Sequence, residues 1–490
     1  MFLGIDLGTS SIKAVLADQT GTLVDHESAE YPACYPREGW SEQRPQDWLE
    51  GLYAVLAGLG CRHDLSQVEG VSFCGQMHGL VVLDEADQVI RPALLWNDNR
   101  TAAQTDALNR DPGREKLVQY TGNIAITGFT APKLLWLKEE EPEHFARIRK
   151  IMLPKDYLLY TMSGVFATDV SDASGTLLFD VEHRCWSAPM LERLGLTAGQ
   201  LPRVFESYEP VGTVAPAFAA RTGLSPSALV VAGGGDQAVG AVGTGAVEKD
   251  TCSISLGTCG VVFAASDRFA ADPAGRLHAF CHANGGYHMM GCILSAAASL
   301  DWWAESVLGR RDYDQLLSEV EGTEIDDLLF LPYLMGERSP INDPAARGIF
   351  SGLTLSKGRP AMTRAVLEGV SFALRDCYEV ILEQGIRPAF ARVIGGGSKS
   401  PVWLQILSDV LGLELRTINT HDGGALGAVL LAMTGCGRFS GVAEASRAVV
   451  RDVDYYRPDP RRHRQYTEKF AQFRQLYRRN AGHMAGNLEA

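Results

Sequence analysis

At 490 residues, with 46% apolar and 21% charged residues, the chain is long enough for about two to four globular domains, two if each is large. A net charge of −14 argues against nucleic acid or an acidic membrane surface as partner, since both call for a basic face, and no run of about 18 apolar residues offers a membrane span. The 10 cysteines include no CxxC pair and no basic n-region precedes the first apolar run, so the expectation is a reduced, cytoplasmic protein with no disulfide framework, zinc site or signal peptide.

The chain opens with a buried strand, Phe2-Leu3-Gly4-Ile5-Asp6-Leu7, a tight Gly8-Thr9-Ser10-Ser11 turn and a second strand from Ile12 to Leu16. A hairpin with this tip gathers backbone N–H groups and hydroxyls into one concavity that suits a phosphate. Asp6 on the incoming strand makes sense there if a divalent cation lies between carboxylate and phosphate. Thr22–His26 adds a third strand, and the spacing of Trp48, Leu49, Leu52, Tyr53 and Leu56 predicts a helix from Pro45 to Leu59. Val68–Cys74, Leu80–Asp84 and Leu94–Trp96 read as strands. The first and third end in polar loops, Gly75-Gln76-Met77-His78-Gly79 and Asn97-Asp98-Asn99-Arg100, of the kind in which α/β proteins place substrates. Residues 101–120 and 131–149 read as helices, a further helical segment opens at Leu153-Pro154-Lys155-Asp156, and Thr168–Thr176 reads as a hydroxyl-rich polar loop. A strand over Leu229–Ala232 runs into Gly233-Gly234-Gly235-Asp236-Gln237 and a small-residue helix over 238–243.

The opening feature then returns. Ile254-Ser255-Leu256-Gly257-Thr258-Cys259-Gly260-Val261-Val262 lies over Ile5–Lys13 at an offset of 249 residues, with Ser255 in place of Asp6 and Val262 in place of Lys13. This internal repeat predicts two domains of like topology, each with a phosphate hairpin, of which only the first brings an acid. A helix from Ser295 to Leu308, the apolar segment Leu329-Phe330-Leu331-Pro332-Tyr333, a long helix over 361–383 and a strand Arg392-Val393-Ile394 follow. That strand ends in Gly395-Gly396-Gly397-Ser398, a repeat of the strand-then-triple-glycine arrangement that leads to Asp236. Triple glycine lets backbone pass close to a ligand; without an acid, as at 395–397, it suits an adenosine or an α-phosphate. His278 and His282 are four apart but sit in strand and turn, which argues against a metal pair. A small-residue helix opens at Gly423, and Tyr466, Phe470, Phe473 and Leu476 give the tail an amphipathic packing helix over 461–479.

Together with Leu95–Arg100, Gly128–Trp136, Leu153–Leu158 and Gly336-Glu337-Arg338-Ser339-Pro340, these motifs resemble the FGGY carbohydrate kinases over essentially the whole chain. The one poorer fit is near Gly348–Leu353, where Ala361 stands at a usually polar position. The resemblance implies an α/β fold of two actin-like, RNase H-like (hexokinase-type) ATPase domains with the active-site cleft between them. The expected division is 1–246, 247–436 and a helical tail over 437–490. It implies ATP-dependent phosphorylation of a sugar, with D-xylulose phosphorylated at O5 as the leading expectation and ribulose, L-xylulose, a pentitol or glycerol as alternatives. It implies Asp236 as general base and Asp6 as the acid that positions Mg²⁺ through water. The implied sugar contacts are Gln76, Met77, His78, Trp96, Asn97, Asp98 and Asp236. For ATP they are Gly8, Thr9, Ser10 and Lys13 in the first hairpin, Gly257 and Thr258 in the second, and Gly395, Gly396, Gly397 and Ser398 at the adenosine. A homodimer is a frequent state of such proteins. An ATP-driven chaperone or filament subunit on the same fold is disfavoured by the polar insertions of the first half, by Asp236 and by the lack of a separate peptide-binding domain.

Overall fold

A computed structural model describes residues 1–420 and 422–486. Two seven-stranded mixed sheets organise it. In the first, Phe2–Leu7 and Ser11–Ala17 form an antiparallel hairpin flanked by Leu23–Glu30; on its other side Phe2–Leu7 runs parallel to Gly70–Gly75, which runs parallel to Leu229–Val231. In the second, the hairpin Cys252–Leu256/Gly260–Ser266 is flanked by Tyr287–Ile293, and Cys252–Leu256 runs parallel to Phe390–Ile394, itself parallel to Glu414–Ile418. An antiparallel strand closes each parallel edge, Pro210–Thr213 and Asp452–Tyr456. The central strands are buried on both faces, as near-continuous runs such as Phe2-Leu3-Gly4-Ile5 require. The internal repeat is therefore a repeat of topology.

The sheets correct two equivalences expected from sequence. By position, Phe390–Ile394 corresponds to Gly70–Gly75, because each is the parallel neighbour of its hairpin. The counterpart of Leu229–Val231 is Glu414–Ile418. Hence Gly395–Ser398 matches the Gly75–His78 loop, and the helix Asp236–Thr244 matches Gly423–Gly435. The glycine runs look alike only because both strands end where backbone must pass close to a neighbour. The second hairpin is also one residue tighter: Asp6 faces Lys13 whereas Ser255 faces Val261, so Val261, not Val262, occupies the place of Lys13.

The two matched helices cross between the lobes through glycine contacts. A Cβ on Gly427 would lie 1.9 Å from the Val239 carbonyl oxygen, and one on Gly243 would lie 2.0 Å from that of Gly423. Around this crossing lies a core shared by both lobes, including Phe2, Val15, Val239, Val242, Leu426 and Val429. The helices read over 101–120 and 131–149 are each interrupted. Pro112 lacks an N–H, Asp111 before it is extended and Gly113 has φ +97°, so the first divides into Ala102–Leu108 and Arg114–Thr121. Pro142 likewise pushes Glu141 out of the helical region between Thr130–Glu140 and Pro142–Arg147. Thr168–Thr176 is no surface loop: Ala167–Asp169 is a buried strand, and Asp169 caps the buried helix Val170–Ser174 by accepting from the N–H groups of Ser171 (2.7 Å) and Asp172 (3.3 Å). The tail helix, Pro460–Gly486, buries Tyr466, Phe470 and Phe473 in the second lobe; residues 487–490 of the expected tail lie outside the described residues. Among the described residues no helix is long and apolar enough to cross a membrane.

Candidate active site

Asp6 and Asp236 meet at the bottom of the cleft, in a cavity of about 190 Å³ that they line with Ser255, Val261, Phe263 and Gly424. Asp6 is placed by its strand register. Asp236 is placed by the bridge of Gly234 and Gly235 to Cys74 and Gly75, which ends the sheet and starts the helix Asp236–Thr244 at that residue. Burial raises the Asp236 carboxyl to about 7, with the Asp6 charge adding to it. Burial likewise raises Asp6 to about 6, against a lowering by the Cys74 thiol. Opposite Asp6, Gly424 stands so close that a Cβ would lie 2.6 Å from the carboxylate. Lys13 turns its ammonium to Asp422, which also caps the helix Gly423–Gly435 at the Ala425 N–H.

Behind Asp236 lies a charged cluster that sequence reasoning missed, since its members are spread over a helix and a misread loop. Lys155, fully buried, is 2.6 Å from Asp156, 3.0 Å from Asp169 and 3.7 Å from Asp172. Burial works to lower the proton affinity of this ammonium, but the three carboxyls together raise it. Ser171 Oγ donates to Asp169 (2.5 Å) and accepts the Gly235 N–H (3.1 Å), tying the cluster to the residue before Asp236. Burial raises Asp172 well above the carboxylate range, and neither of its oxygens finds a hydrogen-bond partner among the described residues.

Met77 packs on Gly235, where a Cβ would lie 2.8 Å from its sulfur. His78 is left-handed, with φ +67°, and is over-determined there. Its Nδ1 bonds the Gly175 carbonyl at 2.7 Å, and its own carbonyl accepts from Lys133 (2.8 Å) and Thr130 (3.1 Å). Burial, then the Arg338 and Lys133 charges, hold the ring well below its usual pKa, so it is neutral with Nε2 as acceptor. The rest of the expected sugar set is arranged differently. Gln76 lies behind the first hairpin, accepting from the Thr9 hydroxyl (3.3 Å) and donating to Gln43 (3.2 Å), while Trp96 Nε1 donates to that same hydroxyl at 3.0 Å. Asp98 is fully buried and spends both oxygens on Arg100 and on the Ser41 N–H (2.7 Å). Asn97 buries an Oδ1 that finds no partner among the described residues.

On the far side of the second hairpin, Gly257, Thr258, Gly396 and Gly397 line a cavity of about 620 Å³. Gly395 has φ +90° and lies against the Leu256 backbone, and Ser398 turns its hydroxyl inward to the Gly395 carbonyl (2.7 Å), so neither is in that lining. Asp301 and Tyr313, which no motif flagged, complete the wall. Among the described residues no three His, Cys, Asp or Glu side chains form a metal cage. The donor set at the cleft, one or two carboxylates beside a phosphate cradle, fits a magnesium ion that keeps its water and takes its other ligands from a nucleotide.

Two lobes of one topology, each with a glycine-tipped hairpin, closing on a pair of carboxylates, define the two-lobed α/β class that includes actin-like and hexokinase-like proteins. Residues 1–243 match the family model of the N-terminal domain of the FGGY family of carbohydrate kinases, and residues 252–436 that of its C-terminal domain. The chain belongs to this family and is a carbohydrate kinase. It is 40% identical to the xylulose kinase of Escherichia coli (strain K12), over 97% of this chain and 98% of that one. A solved structure titled as a xyloylose kinase from Brucella ovis superposes with a TM-score of 0.94 at 37% identity, covering 98% of this chain and 99% of the other. A gluconate kinase from Lactobacillus acidophilus also reaches a TM-score of 0.94, at 25% identity and 98% coverage of both chains.

Proposed function

We propose that this kinase transfers the γ-phosphoryl group of ATP to O5 of D-xylulose. The observation that carries the proposal is the Asp236 carboxylate, held at about 7 on the wall of the cleft beside Asp6 and within one residue of the Met77 packing contact. A carboxylate of that basicity suits a general base. Asp236 takes the O5 proton as O5 attacks the γ-phosphorus, and the bond from that phosphorus to the bridging oxygen breaks in line, leaving ADP. Asp6 would hold Mg²⁺ through water, which supplies neutralisation of the phosphate charge. The first hairpin offers the N–H groups of Thr9 and Ser10 to the phosphates, that of Gly8 being spent on the Ser11 carbonyl (2.9 Å), Gly396 and Gly397 give the adenosine its wall, and His78 accepts from a sugar hydroxyl. Gln76, Trp96 and Asp98 shape this pocket from behind. In this reading residues 1–246 carry the sugar and the base and 247–436 the nucleotide; of the helical tail expected over 437–490, Asp452–Tyr456 is instead an edge strand of the second sheet, and Pro460–Gly486 is the packing helix.

The ketose is chosen over other sugars because the xylulose kinase relative matches nearly end to end, whereas fold alone does not separate a ketose kinase from the gluconate kinase of equal TM-score. A coupled ADP-release assay over D-xylulose, D-ribulose, L-xylulose, pentitols, glycerol and gluconate tests it. Turnover is expected with D-xylulose first, and is expected to vanish in Asp236→Ala while ATP still binds. Preference for another acceptor refutes the substrate, and full turnover by Asp236→Ala refutes the base.

A further inference from the structure

We propose that Arg338 binds the acceptor sugar, donating guanidinium N–H groups to the ketose carbonyl end, remote from the hydroxyl that is phosphorylated. The proposal rests on the ketose reading above. Arg338 Nε and Nη2 are buried, and no acceptor for either exists among the described residues. Arg364 and Arg375 of the same lobe, by contrast, are met: Arg364 by Glu368 (2.7 Å) and Tyr466 (2.8 Å), and Arg375 by Glu379 (3.1 Å) and the Val410 carbonyl (3.0 Å). A guanidinium cannot shed its charge, so burying it without acceptors destabilises the free protein unless a ligand brings them.

The backbone fixes where this cation emerges. The Ser339 N–H donates to the Cys292 carbonyl at 3.0 Å, and Cys292 is the strand partner of Val261, a wall of the cavity that holds Asp236. Glu337, the adjacent acid, is directed away: its Oε1 accepts the N–H groups of Leu294 (2.9 Å) and Arg338 (2.7 Å). His278 lies 5.5 Å from Phe129 across the lobes, and Phe129 lies 4.7 Å from His78. After burial, the Arg338 charge is the next cause of the lowered proton affinity of both His78 and His278, whereas the charge acting on Asp236 is that of Asp6. The same charge also acts on Cys259 in the second hairpin, so the guanidinium stands between that hairpin and His78. The chemistry of the two side chains is complementary. Neutral His78 offers an acceptor and suits a hydroxyl, while Arg338 offers donors only and suits a group that only accepts, the ketone oxygen of a 2-ketose.

The test is Arg338→Met, with Arg338→Lys as the variant that keeps the charge but not the planar fork. Expected for Arg338→Met is a rise of about 10- to 100-fold in KM for D-xylulose, the loss of charge-assisted hydrogen bonds, with kcat and ATP affinity within about threefold of wild type. The preference for D-xylulose over xylitol, measured as the ratio of kcat/KM, is expected to collapse, and Arg338→Lys to fall between the two. The ligand-free variant is expected to melt no lower than wild type, because an uncompensated charge has been removed. Unchanged ketose KM with altered ATP affinity or kcat overturns the proposal in favour of a phosphate contact. Unchanged kinetics with a lowered melting temperature overturns it in favour of a structural arginine. Absence of ketose turnover in the wild type overturns the functional reading itself, which sets that failure apart from the other two.

Discussion

Replacing Asp236 with asparagine should make the free enzyme more stable at pH 8 while removing its activity. The unfolded carboxyl ionises near 3.8, the native one only near 7, raised by burial and then by Asp6. The native state thus holds its proton more tightly between those values. Wild-type stability from this group is complete below about 3.8, is lost progressively as pH rises through 7, and is missing in full above it. The full difference corresponds to about 4 kcal/mol. Because the carboxylate opens on a solvated cleft, about 2 kcal/mol is the working figure, or a gain of ~2–4 °C in a chain of this size. Scanning fluorimetry of both ligand-free proteins at pH 5 and pH 8 measures it. The gain should appear at pH 8 and shrink at pH 5, where wild-type Asp236 is itself neutral. A gain of equal size at both pH values, or none at pH 8, refutes the argument that an uncompensated charge is stored at this position.

The pH profile of kcat/KM for the ketose should fall on its acid side with an apparent value near 7, since the base must be ionised to act. In Asp6→Asn that limb should move to lower pH, as the Asp6 charge adds to burial in raising it; residual turnover, however slow, gives the profile. Gly427→Ala should cost more than about 3 kcal/mol in urea unfolding or prevent soluble expression, because its methyl would sit 1.9 Å from the Val239 carbonyl at the helix crossing; a variant of wild-type stability shows that the crossing can open.

The two hairpins and the strand ends at Gly75 and Gly233 were legible because their signals are local: a buried apolar run, then glycine and hydroxyl residues at a tip. Asp6 and Asp236 could be singled out for the same reason. What was not legible depended on partners distant in sequence. Thr168–Thr176 looks like a loop by composition, yet Asp169 and Ser171 are spent on Lys155, Ser207 and the Gly235 N–H, so it folds as a buried strand and helix. Asp98 has the residue type and neighbours of a pocket carboxylate, but Arg100 two positions on claims it. Arg338 stood within a motif, but its isolation is visible only when every surrounding acceptor is accounted for.

The matched topology of the lobes bears on how one fold serves two ligands. The loop after the hairpin's parallel neighbour is Gln76-Met77-His78 in the first lobe and Gly396-Gly397-Ser398 in the second. In the first, side chains fill the space: Met77 seats against Gly235, His78 against Gly175 and Phe129. In the second, glycines leave a cavity of about 620 Å³ with backbone as its wall. The helices behind differ in the same sense. Asp236 is the first residue of its helix and faces the cleft, whereas Gly423 is the first of the other, and Asp422 before it turns to Lys13 and the Ala425 N–H. Likewise Asp6 is answered by Ser255. Both cleft carboxylates thus belong to the first lobe, and the second copy is neutral at each matching position. That asymmetry is what a cleft needs if a polyanionic donor is to be held by one lobe and a neutral acceptor deprotonated by the other, since a second pair of acids would repel the phosphates they face.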